Sequence, residues 1–144
     1  MKAQPQSVFL IVNPNSGIKS RFFRFVNRIF GWNKIKKNKS LNELIGCIQL
    51  QFEESGVSFN YAFTTHSGHA KALASQESQK GIDTIIAMGG DGTINEVVNG
   101  IVNTESRLGV IPYGTANVFG PFQDLYRIIP KTILSILKNK RVTV

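Results

Sequence analysis

The sequence predicts an α/β domain with a mainly parallel sheet and helices on both faces. Three observations predict it. Strand-length apolar runs alternate several times with stretches of helical period, the order that strand-helix units produce. Two of the runs, residues 8–13 (VFLIVN) and 84–88 (TIIAM), are continuous rather than alternating, as strands covered on both faces are. Runs also end in polar, Gly-bearing turns, at residues 13–17, 89–92 and 112–117.

Taken in order, residues 8–13 form a buried strand that stops at Asn13-Pro14 and enters the turn Asn13-Pro14-Asn15-Ser16-Gly17. Residues 21–32 have helical period: Phe22, Phe23, Phe25, Val26, Ile29, Phe30 and Trp32 fall on one half of the wheel, Arg21, Arg24, Asn27 and Arg28 on the other. Residues 33–39 (NKIKKNK) are a basic connector. Ser40 and Glu43 have capping-box spacing and open a helix with Leu44, Ile45, Ile48 and Phe52 inward, stopping near Gly56. Val57, Phe59, Tyr61 and Phe63 alternate with polar or small residues, a strand buried more on one side and near a sheet edge. Residues 67–80 are a helix with Ala70, Leu73 and Ala74 inward and Gly81 as its stop. After the strand at 84–88, residues 93–102 are a helix with Ile94, Val97, Val98 and Ile101 inward. Residues 108–111 are a strand, Pro130 begins a last helix at 131–138, and 141–144 start another strand.

The 144 residues fit one domain. No apolar run approaches the ~20 residues of a membrane-spanning helix, and no early apolar segment has signal-peptide form, which points to the cytoplasm. The single Cys47 permits no internal disulfide and is expected as a small buried hydrophobe. His66 and His69 lack metal-ligand spacing to any further His or Cys and are expected on the surface or at a pocket rim. Net charge is +8, and residues 1–42 hold nine Lys or Arg and no Asp or Glu. Such asymmetry fits an anionic partner or a solvated basic face. Nucleic acid is set aside, because no recognisable binding module accompanies the charge.

The chemistry concentrates in Gly89-Gly90-Asp91-Gly92, between a buried strand and a helix. Ligands of such sheets bind beyond the carboxyl ends of the strands. Glycine lets backbone N–H groups approach a ligand oxygen, and the helix start adds unpaired N–H groups, a combination suited to phosphate. An acid beside a phosphate needs an intermediary: Mg²⁺, a water network or a transferring proton. The pair therefore suggests a nucleoside triphosphate with Mg²⁺. Two plainer readings stay open: Asp-Gly is an ordinary turn, and Thr93 with Glu96 has capping-box spacing. Convergence with the turns at 13–17 and 112–117 on one rim favours the nucleotide site.

These residues also resemble a known family. VNPNSG (12–17), Thr64 with Gly68-His69-Ala70, GGDGTINEVVNG (89–100) and the Pro112, Gly114-Thr115-Ala116-Asn117 turn match, in order, the nucleotide-binding domain of the diacylglycerol kinase family. That family includes sphingosine, ceramide and bacterial lipid kinases. The resemblance implies a Rossmann-like nucleotide-binding domain of the NAD kinase/diacylglycerol kinase type over 1–144, with a basic insertion at about 19–39. It implies that Asn13, Pro14 and Thr64 meet the nucleotide. Gly89, Gly90, Asp91, Gly92, Thr93 and Asn95 would wrap the phosphates of ATP, with Asp91 the catalytic-site residue near Mg²⁺-ATP and Glu96 ordering the site. Gly114 and Thr115 would complete the pocket. The implied reaction transfers the γ-phosphoryl of ATP to a lipid hydroxyl, of diacylglycerol or a sphingoid-type lipid, with residues 21–39 able to meet an anionic membrane.

The sequence departs from the family pattern in carrying Val118 where Asp is usual, and in the longer stretch between Gly17 and Thr64. The family's second, mostly β domain, which carries the general base, is expected to be absent from this chain; Asp124 is the only unassigned acid expected near the rim. An NAD kinase-like enzyme is the alternative, disfavoured by Asn95-Glu96 and the 112–117 turn. A nucleotide-sensing or membrane-docking module is the non-catalytic one.

Overall fold

The structure is a computed structural model that describes residues 5–15, 41–112, 133, 136 and 137. Strands and helices alternate throughout: β1 (Ser7–Val12), α1 (Leu41–Glu54), β2 (Ser58–Phe63), α2 (His69–Gln79), β3 (Thr84–Gly89), α3 (Asp91–Ile101) and β4 (Arg107–Pro112). The four strands make one sheet in the order β2-β1-β3-β4, every pair parallel. The expected α/β class is thus observed.

Alternation of side chains along a strand explains why β1 and β3 are apolar without a break. Val8, Leu10, Val12, Ile86 and Met88 join Ile45, Ile48 and Phe52 of α1 and Ile133 in one core. Phe9, Ile11, Ile85 and Ala87 point the other way, against Ala70 and Ala74 of α2 and Val97 of α3. Each fully buried aliphatic of this kind contributes about 1.5–3 kcal/mol, so the two cores together dominate the stability of the sheet. The Phe52 and Phe59 rings stack at 5.6 Å, fixing α1 on β2.

Helix ends follow from local chemistry. Gly56 and Gly81 both adopt left-handed backbone. In each case the glycine N–H and the next N–H fold back on the last turn: Gly56 and Val57 onto Glu53 and Phe52, Gly81 and Ile82 onto Ser78 and Glu77. This Schellman arrangement satisfies carbonyls that a helix end leaves open. At the opposite edge of the sheet from the glycine turns, Asp83 Oδ2 accepts from the Gln6 and Ser7 N–H groups at 2.8 and 3.1 Å, tying the starts of β1 and β3 together.

Several expectations need correction. Val98 is 39% exposed, not inward; Val97 and the half-buried Ile94 and Ile101 carry the packed face of α3. β2 is outermost in the described sheet, as its alternation predicted, but its apolar side is buried only at its start, since Tyr61 is 42% exposed. Cys47 is half-buried. Helix α2 begins at His69 rather than 67, because Gly68 takes left-handed backbone just before it. Helix α3 begins two residues earlier than expected, at Asp91. The predicted helix at 21–32, the connector at 33–39, Ser40 and the end strand at 141–144 lie outside the described residues. Of the predicted helix at 131–138, the described Ile133, Ile136 and Leu137 are helical and pack on the α1 face of the sheet.

Candidate functional site

Strand β1 carries its ladder one residue past its end: the Asn13 N–H donates to the Met88 carbonyl of β3 at 2.9 Å, while the Thr64 N–H donates to the Val12 carbonyl at 2.8 Å. Parallel pairing thereby sets Asn13 between the exits of β2 and β3. Among the described residues the Asn13 side chain makes two hydrogen bonds. Its Oδ1 accepts from the Asn15 N–H at 3.0 Å, a local turn of the kind Asn favours. Its Nδ2 donates to Thr93 Oγ1 at 3.1 Å, joining the first turn to the start of α3.

After β2, Thr64 is buried and Thr65, His66 and Ser67 lead to α2. The Thr65 N–H lies in line with His69 Nδ1 at 3.0 Å. The His66 and His69 rings stack at 4.7 Å, and Thr65 Oγ1 lies 2.8 Å from His66 Nδ1. After β3, Gly89 is buried against the Thr93 side chain, and Gly90 caps α3.

These three exits enclose a cavity of about 300 Å³. Among the expected site residues, Asn13, Thr64, Gly92, Thr93 and Glu96 line it together. Gly89 and Gly90 stand behind Thr93 as backbone. Pro14 lies in the turn beside Asn13. Asp91 and Asn95 are exposed on α3 and do not line the cavity. Gly114, Thr115, Val118 and Asp124 lie outside the described residues, so the third wall that the structure describes is the turn after β2, not the one after β4. Asn15, Thr65, Ser67 and Ala70 also line the cavity; Thr65 and Ser67 follow the half-exposed strand β2 at two and four residues, and no local pattern marks them.

The capping box read from Thr93 and Glu96 does not form. Gly90 is already the N-cap of α3, with extended backbone and its carbonyl accepting from the Ile94 N–H at 3.1 Å. Thr93 is therefore turned inward to Asn13, and Glu96 reaches across to α2. Its Oε1 accepts from the Gly68 N–H at 2.9 Å and its Oε2 from the Ala70 N–H at 3.2 Å.

Two helix starts thus face one cavity in different states. A helix leaves its first N–H groups without internal partners and carries partial positive charge there. At α2, a carboxylate from the neighbouring helix already sits on that end. At α3, no side chain caps the helix, and the N–H groups of Asp91, Gly92 and Thr93 have no hydrogen-bond partner among the described residues. A Cβ at Gly92 would meet nothing within 4 Å. The arrangement has room and donors for phosphate oxygens on the first turn of α3. No cluster of three potential metal-ligating side chains occurs among the described residues. Asp91 opens α3, exposed and without a side-chain hydrogen bond or ion pair among the described residues.

A parallel sheet with a cavity beyond the strand exits, beside an uncapped helix start, is the arrangement in which open α/β proteins place their ligand sites. Residues 7–144 match the model of the diacylglycerol kinase catalytic domain, and the chain belongs to that family. A diacylglycerol kinase from Bacillus subtilis (strain 168) is 48% identical over 95 residues, covering 61% of this chain and 31% of that protein. A Citrobacter koseri protein named "Probable lipid kinase YegS-like" is 30% identical over 111 residues, covering 74% of this chain and 36% of that one. The chain thus spans about a third of the length of these relatives. A crystal structure of a diacylglycerol kinase from Bacillus anthracis str. Sterne superposes with a TM-score of 0.59 at 24% identity, over 91% of this chain and 43% of that one, which bears on the fold. No helix among the described residues is long and apolar enough to cross a membrane.

Proposed function

We propose that this chain is the nucleotide-holding part of an ATP-dependent lipid kinase, with the phosphates of Mg²⁺-ATP seated on the first turn of α3. The observation that carries the reading is the open α3 start inside a cavity built from three strand exits, in a chain of this family. Bound ATP would supply the phosphoryl group. Asn13 and Thr93 hold the donor side rigid, Thr64 walls it, and Asp91 balances the charge of the divalent ion. An acceptor is best sought among lipid hydroxyls, diacylglycerol first, as the names of the relatives suggest. The nine cations in residues 1–42 suit an anionic lipid surface.

Transfer also needs a base placed at the acceptor hydroxyl. The carboxylate lining the cavity, Glu96, has both oxygens taken by backbone N–H groups, so base chemistry is not assigned to it. No base is assigned among the described residues that line the cavity, and ATP binding with little transfer to lipid is the behaviour we expect of these 144 residues.

Calorimetric titration of ATP, with and without Mg²⁺, tests the reading on the wild type and Asp91→Asn. Saturable binding strengthened by Mg²⁺ is expected, with that strengthening lost in Asp91→Asn. If Asp91 only complements the helix dipole, the variant loses about 0.3–1 kcal/mol of stability and keeps its Mg²⁺ response. Absence of ATP binding by the wild type in Mg²⁺ overturns the proposal.

A further inference from the structure

Glu96 lines the cavity yet points its carboxylate at protein backbone. It starts from the second turn of α3 and ends on the Gly68 and Ala70 N–H groups, at 2.9 and 3.2 Å. Gly68 is the N-cap of α2, in left-handed backbone and with no side-chain cap of its own. A carboxylate accepting two N–H bonds at a helix start is charge-assisted on both and stands where an incoming anion would stand. The same α3 leaves its own start uncapped, with Thr93 held to Asn13 at 3.1 Å. One helix therefore offers its own start to solvent and fills that of its neighbour.

We infer that Glu96 is a positioning residue: it occupies the anion-attracting end of α2 with its own carboxylate, so that phosphate oxygens entering the cavity are directed to α3. The inference rests on the reading of α3 as the phosphate seat and adds how the choice between two helix starts is made. The second effect is mechanical. The bridge from Glu96 fixes the Thr65–Ser67 wall relative to Thr93, because both hydrogen bonds end at the first residues after that wall. A side chain present only to stabilise α2 would, on removal, leave the pyrophosphate affinity read at Asp91–Thr93 unchanged.

The test is a residue-resolved NMR titration of the 144-residue chain with inorganic pyrophosphate at constant ionic strength, with chloride as control. In the wild type, the amides of Asp91, Gly92 and Thr93 should shift saturably while those of Gly68 and Ala70 stay still. In Glu96→Ala, the Gly68 and Ala70 amides should join, with their own saturation curve. Glu96→Gln keeps the shape, one acceptor oxygen and no charge, and serves if the alanine variant does not fold; a weaker response of the same two amides is expected. Response of Gly68 and Ala70 in the wild type overturns the inference. So does their silence in both variants while Asp91–Thr93 respond. Silence of Asp91–Thr93 in the wild type overturns the phosphate seat itself, and the inference with it.

Discussion

A methyl group at Gly89 would lie 2.5 Å from Thr93 Oγ1 and 2.6 Å from its Cβ. Thr93 cannot easily give way, since it is buried and held by Asn13. The glycine is thus required first by packing, and only behind that by any ligand. Gly89→Ala should cost about 1–3 kcal/mol, the range for overpacking a filled site. A lowered melting temperature checks this; an unchanged one would mean that Thr93 swings clear. The need for small residues here was legible in the sequence, but its reason was not. Asn13 and Thr93 are 80 positions apart, and no local pattern announces their hydrogen bond. The Asn13–Asn15 turn, by contrast, is local and could be read from Asn-Pro-Asn directly.

Among the elements, α3 shows most clearly where periodicity succeeds and where it stops. Its existence and its packed Val97 were readable from spacing alone. Its start was not, because Thr93…Glu96 and Gly90 are competing caps and only the extended Gly90 backbone decides between them. Nor did spacing show that Gly100 meets α2 so closely. A Cβ there would lie 2.5 Å from the Lys71 carbonyl oxygen and 2.7 Å from Ala74 Cβ. Alanine is favoured over glycine inside a helix by about 1 kcal/mol. That gain should survive at Gly92, where the Cβ position is open, and be reversed at Gly100. Urea unfolding should therefore find Gly92→Ala more stable than the wild type and Gly100→Ala less stable by about 1–3 kcal/mol. Equal shifts in both would contradict the close approach of α2 and α3.

For the molecule as a whole, parallel pairing is what gathers the site. Every strand runs the same way, so the exits of β1, β2 and β3 open on one rim and the Asp83 ties lie at the other. The class of fold and the side of the sheet that holds the cavity followed from continuous apolar strands and the turns after them. The strand order β2-β1-β3-β4 did not, because long-range pairing leaves no mark on local sequence. For the same reason local sequence does not mark the turn after β2 as a wall of the cavity. The most direct measurement sets two properties of the whole chain against each other in Gly92→Val: thermal stability and affinity for Mg²⁺-ATP. The Cβ position at Gly92 is open, so the variant should melt no lower than the wild type. Its side chain would fill the space above the first turn of α3, so ATP affinity should fall at least ~10-fold, about 1.4 kcal/mol. A folded Gly92→Val that binds ATP as tightly as the wild type would contradict the seating of phosphates on α3.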